Sequence, residues 1–199
     1  MKIRPALRIL FLVLLLLAAG PAQAEKSSLE ELCRLHGIGE EESIGKIRAA
    51  YLEAVESGIT EQELFAFVED ILQHKLDCPQ MVRVLAVTTK LKTAGLPYFV
   101  VFSKVREGVA KMAPPALVVE VAEGKLKSLT DSRDVLLSLE SSGYRVRDFQ
   151  NAAVIVSSYI EKGYRPGEMI EQVRNKGIEG AGFAALSGVV EKSVQRKER

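Results

Sequence analysis

Chemistry could most readily be built around this chain's only two cysteines and only two histidines. Cys33 and His36 form a C-x2-H, and His74 and Cys78 form an H-x3-C. Thiolate and imidazole are borderline-soft ligands, so the mirrored pairs brought together could make a tetrahedral Cys2His2 zinc site. In an exported chain a Cys33–Cys78 disulfide is the simpler expectation. It would close a 46-residue span and stabilise the fold by about 3–4 kcal/mol in the chain-entropy model. A third reading leaves both thiols unpaired and buried. Both histidines fall at or near expected helix ends, where an imidazolium suits the C-terminal dipole.

Other constellations are weaker. Gly180-Ala-Gly-Phe-Ala-Ala185 imitates a dinucleotide-binding G-x-G-x-x-A, but the stretch ahead of it, 169–176, reads as helix rather than strand. A hydrolase triad needs a histidine beside a nucleophile with an orienting acid, and neither His36 nor His74 sits near a nucleophile-elbow signature. Pairs such as Glu120/Glu123 and Glu168/Glu171 have the spacing of helix-surface charges. No catalytic residue and no cofactor is therefore assigned.

These residues sit in a chain that opens like an export signal. Lys2, Arg4 and Arg8 precede an apolar run from Ile9 to Ala19, and Ala22-Gln-Ala24 follows. A basic start, an apolar stretch too short to span comfortably, and an A-x-A site describe a secretory signal peptide cleaved after Ala24. The expected domains are thus 1–24, the signal peptide, and 25–199, one domain of 175 residues. Cleavage removes three of the 27 basic residues and none of the 26 acidic ones, leaving a net charge of −2. That balance argues against a nucleic-acid or anionic-membrane binder. No second apolar run approaches spanning length, so no transmembrane segment is expected after cleavage.

The domain repeats one local pattern. A residue that can end a helix, usually Gly, precedes an apolar residue, and a second apolar residue follows five positions later. The pairs are Ile59/Leu64, Leu76/Met81, Leu96/Val101, Met112/Leu117, Tyr144/Phe149, Tyr164/Met169 and Ile178/Phe183. Five residues is the spacing of the hydrophobic staple, which fixes how a chain enters a helix. Gly58, Gly95, Gly143, Gly163 and Gly177 stand where a left-handed residue closes the preceding helix, and Lys75 and Lys111 replace Gly at the other two. Thr60-Glu-Gln-Glu63 adds a capping box, and Asp77-Cys-Pro-Gln80 is a weaker copy. Pairs start about 14 to 21 residues apart, with one gap of 32.

Helices are expected near 29–35, 40–56, 61–74, 79–93, 98–111 and 115–123. Further apolar stripes lie around Val135, Val156 and Val173, and a last helix runs from Phe183 to about Arg196. Val118, Val119 and Val121 are β-branched and compete for a strand, but the repeat register keeps them helical. The class is all-α: short helices in stacked helical hairpins, an α-solenoid-like array, with a compact helical bundle as the alternative.

Gly95-Leu-Pro, then Lys104-Val-Arg-Glu-Gly-Val-Ala-Lys111, then Ala113-Pro-Pro115 resembles a motif of uncharacterised, secreted, helix-rich bacterial proteins, over about residues 95–126. Met112 stands where that motif often has a small residue. The resemblance implies a bacterial, exported, helical protein and nothing catalytic. The expected role is a periplasmic or secreted non-catalytic binding or scaffold module holding an unknown protein or envelope component. Tyr98, Phe99, Tyr144, Tyr159 and Tyr164 are candidates for its binding face. The alternative is a metal-handling protein or exported enzyme using Cys33, His36, His74 and Cys78.

Overall fold

The computed structural model describes residues 28–193, and the signal peptide and residues 194–199 lie outside them. The described chain is all-α. Its helices are α1 (Leu29–Leu35), α2 (Glu41–Glu56), α3 (Glu61–Gln73), α4 (Cys78–Thr93), α5 (Phe99–Ala110), α6 (Pro115–Ser141), α7 (Phe149–Glu161) and α8 (Pro166–Gly180). Two three-residue strands, β1 (Tyr144–Val146) and β2 (Val190–Lys192), pair antiparallel. No helix among the described residues is long and apolar enough to cross a membrane.

Stacking follows chain order. Helices α1, α3 and α5 touch in sequence along one row, and α2, α4 and α6 along another, as stacked hairpins require. The long α6 then carries α7 and α8. Within the first row Phe67 of α3 stacks on Phe102 of α5, with ring centroids 3.9 Å apart. Each junction also has an exposed ion pair: Arg48–Glu30 joins α2 to α1, Arg106–Asp70 joins α5 to α3, and Arg83 grips Glu123 of α6 through two hydrogen bonds of 2.9 and 2.8 Å. Such exposed pairs set register more than stability.

The local pattern works as expected at four helix starts. Ile59 and Leu64, Leu76 and Met81, and Leu96 and Val101 are buried pairs. At the fourth, Met169 is buried while Tyr164 stays half out. Gly58 and Gly95 take positive φ, and the following amides of Ile59 and Leu96 donate back to Ala54 O and Leu91 O at 3.3 and 2.9 Å. This closes each helix and turns the next apolar residue inward. The capping boxes trade strength. Asp77 and Gln80 make both reciprocal bonds, at 2.9 and 3.0 Å. Thr60 makes only its half, because the Glu63 carboxylate instead accepts from Tyr98 Oη at 2.9 Å.

Three pairs differ from expectation. At the α5–α6 turn the left-handed residue is Met112 (φ 53) rather than Lys111, so the register moves by one. The amide of Ala113 donates to Gly108 O at 2.9 Å, and the five-residue pair becomes Ala113/Val118, leaving Met112 and Leu117 exposed. Tyr144 does not staple α7 but begins β1. Gly177 (φ 74) kinks α8 instead of ending it, with Ile178 and Phe183 both buried beyond.

The last helix from Phe183 does not form among the described residues. A 3-10 turn at Ala184–Leu186 leads to β2, and its final stretch lies outside them. Gly182 (φ 80) and Gly188 interrupt any helix there, while β-branched Val189 and Val190 suit a strand. Leu186, Val189 and Val190 are buried all the same. The gap of 32 residues also has a cause: α6 runs unbroken for 27 residues, crossing Gly124 and keeping Val118 and Val119 in the core.

Candidate functional site

The largest concavity with a defined lining lies where α1, α2 and α3 meet. Its volume is about 520 Å³, within the range of ligand pockets. Glu61, Phe65 and Glu69 recur every four residues of α3 and so share its outward side, with Gln62 and Ala66 beside them. The opposite side of α3, from Leu64 through Phe67, Val68, Ile71 and Leu72, is locked into the core. Tyr51 of α2 closes the floor, buried to the ring edge, and its hydroxyl donates to Glu61 O at 3.1 Å. Burial raises the Tyr51 phenol above its ordinary value, and the charge of Glu61 adds to this. Ser28 and Leu29 complete the wall where Ser28 caps α1, its Oγ accepting from Glu31 N at 3.2 Å.

The charge of this pocket is one-sided. Neighbouring acids are tied elsewhere, Glu30 to Arg48, Asp70 to Arg106 and Glu63 to Tyr98. Glu61 and Glu69 form no ion pair among the described residues, so two free carboxylates flank an aromatic, apolar floor. That arrangement suits a positive charge attached to an apolar body.

A second, shallower groove of about 240 Å³ runs along the seam of α5 and α6. Lys104, Glu107 and Lys111 form its α5 bank; Leu117 and Val121 form the α6 bank. Lys104 Nζ lies 2.6 Å from Glu107 Oε2, and Lys111 donates to Oε1. Hydrogen bonds from Lys104 and then Lys111 hold the Glu107 carboxyl down to about 2.

The expected Cys33–Cys78 disulfide is corrected by the structure: both thiols are free and buried. Cys33 points into the core from α1, fully covered, and Cys78 opens α4 with its thiol donating to Ser43 O at 3.4 Å. Both pack as small core hydrophobes. Burial raises the Cys33 thiol, with the charges of Cys78 and Glu30 contributing less. His36 and His74 are the C-caps of α1 and α3. The four residues do not gather into a ligand set, and among the described residues no cluster of three or more His, Cys, Asp or Glu side chains could hold a metal.

The aromatic candidates do not share one face. Tyr98 is held by Glu63 and packs edge-on to Phe102, with Phe99 exposed beside it. Tyr159 and Tyr164 form an edge-to-face cluster with Phe183, and Tyr144 donates to Val173 O at 3.1 Å. A network the sequence conceals joins α6 to α7. Lys125 and Ser128 both donate to Glu161, each at 2.7 Å. Both bonds end on one carboxylate and Ser128 is buried, which makes a strap rather than a nucleophile with its base. Glu123 is occupied by Arg83, and Gly180-Ala-Gly182 forms the end of α8 and the turn after it.

Set against family models, curated proteins and solved structures, the chain matches none.

Proposed function

We propose that this chain is an exported, non-catalytic binding module of the bacterial envelope that holds a segment of a protein partner in the pocket beside α3. The observation that carries the reading is the pair of unpaired carboxylates, Glu61 and Glu69, either side of Phe65 over a 520 Å³ apolar recess. Such a recess takes an apolar side chain, and its rim selects a partner segment that also carries Lys or Arg. The leader-like first 24 residues and the secreted-protein motif at 95–126 support export. The alternative of an enzyme or metal-handling protein at Cys33, His36, His74 and Cys78 lacks a gathered set of ligands or a nucleophile with its base among the described residues.

The test places a photo-crosslinking side chain at position 65 and, as control, at the exposed position of Leu137, in cells that express and export the chain. Adducts at 65 that vanish in Glu61→Gln/Glu69→Gln, with none at 137, support the reading. Equal labelling at both positions, or none at 65, removes it. The mass of the recovered chain tests export separately, with a first residue of Glu25 expected.

A further inference from the structure

We propose that the α5–α6 turn is a self-association surface, in which Met112 of one copy seats in the α5–α6 groove of a second copy of this chain. Met112 is 86% exposed and holds φ 53. The matching helix ends at Gly58, Gly95 and Gly163 carry the residue that tolerates this backbone. Met112 is thus unfavourable for the isolated fold twice over, in its left-handed backbone and in its apolar side chain left in water. Its covering must come from outside the chain.

The groove beside it offers that cover. Leu117 and Val121, one turn apart on α6, are 46% and 38% exposed above a floor of Gly108, Ala113 and Val118. A projecting apolar side chain and an apolar recess on one short stretch make a self-complementary patch, since each copy supplies both halves of a two-fold contact. Methionine is unbranched and flexible, which lets it follow an irregular recess.

Charge decides which occupant fits. On the α5 bank Glu107 already takes both lysine ammonium groups. Little bare positive charge is left for an anionic lipid surface or an acidic peptide. Two copies meet across this compensated bank without like-charge repulsion, and the lysine stems cover apolar surface while their heads stay in water. The patch is small, so association belongs to the weak, concentration-dependent class. It is independent of the pocket beside α3.

Sedimentation velocity of the exported protein over a wide concentration series tests this. The wild-type mass is expected to rise toward a dimer at the high end. Met112→Gly and Leu117→Glu should both remain monomeric. Melted at the lowest concentration, Met112→Gly should unfold about 2–4 °C higher than wild type, which separates lost association from lost fold. A wild type that stays monomeric throughout overturns the proposal, as does a dimer that survives both substitutions. Wild-type pelleting with anionic phospholipid vesicles, absent in Met112→Gly and without self-association, would make the occupant a lipid surface and overturn it as well.

Discussion

Gly108 of α5 lies so close to α6 that a Cβ at that position would stand 3.1 Å from Val118 Cγ2. Val118 is buried and β-branched, so its rotamer has little freedom to move aside. Gly108→Ala gains about 1 kcal/mol of helix propensity but overpacks the seam at a cost of about 1–3 kcal/mol. A net loss of about 1 kcal/mol is expected in urea unfolding. A stabilised variant would mean that the α5–α6 seam opens freely.

Lys75 closes α3 with φ 57, at a turn where Gly58 does the same work for α2 with φ 98. Lys75→Gly should stabilise by about 0.5–1 kcal/mol, the left-handed strain relieved less the entropy glycine loses on folding. Gly58→Ala should destabilise by about 1–2 kcal/mol, since its new Cβ also meets Lys92 Cε at 3.3 Å. Opposite signs in paired thermal melts are the expected result, and like signs would contradict the cap assignment.

Glu107 is lowered from the ordinary 4.5 to about 2 by Lys104 and Lys111. A depressed carboxyl favours the fold while ionised, so its contribution is complete above about pH 4.5 and disappears as pH falls through 2. Carboxyl NMR at low salt should place its midpoint near the lower value. Lys104→Ala/Lys111→Ala should return it to the ordinary range, and high salt should move it part of the way, because all three groups are open to solvent. An ordinary midpoint at low salt would rule out the triad.

The unreduced, denatured protein should carry the full hydrogen mass of two thiols, because Cys33 and Cys78 are both free. Alkylation of Cys33 should be slow in the native state, as burial both shields the thiol and raises its pKa. Cys33→Ser should cost about 1–3 kcal/mol by placing a hydroxyl in a closed apolar site. A mass two daltons light would restore the disulfide.

Helix starts are legible wherever residue identity alone decides them. Ile59/Leu64 and Leu96/Val101 announce themselves because Gly, a five-residue apolar pair and a polar or proline entry all lie within one window. The same signal misleads by one residue at Met112, where no glycine marks the left-handed position. It fails at Tyr144 because β1 depends on β2, about 45 residues later, and three-residue strands carry no periodicity of their own. Cys33 and Cys78 mislead because expected compartment decides nothing about which way two thiols point. Of the pocket beside α3, the spacing of Glu61, Phe65 and Glu69 is visible in the sequence, but Glu61 also reads as an ordinary first-turn acid of a capped helix. Only the placement of Tyr51 and Leu29 across from it makes a recess.

The pairing of Tyr144 with Lys192 and of Val146 with Val190 has a consequence for time as well as shape. If the chain emerges from an export pore amino end first, α1 to α5 can settle against neighbours that are already out. The edge at β1 must wait, unpartnered, until nearly the whole chain has crossed. Any delay late in translocation leaves that edge open to other chains. The carboxyl-terminal residues therefore act as the molecule's latch, and shortening the chain there should be felt first in folding yield rather than in binding.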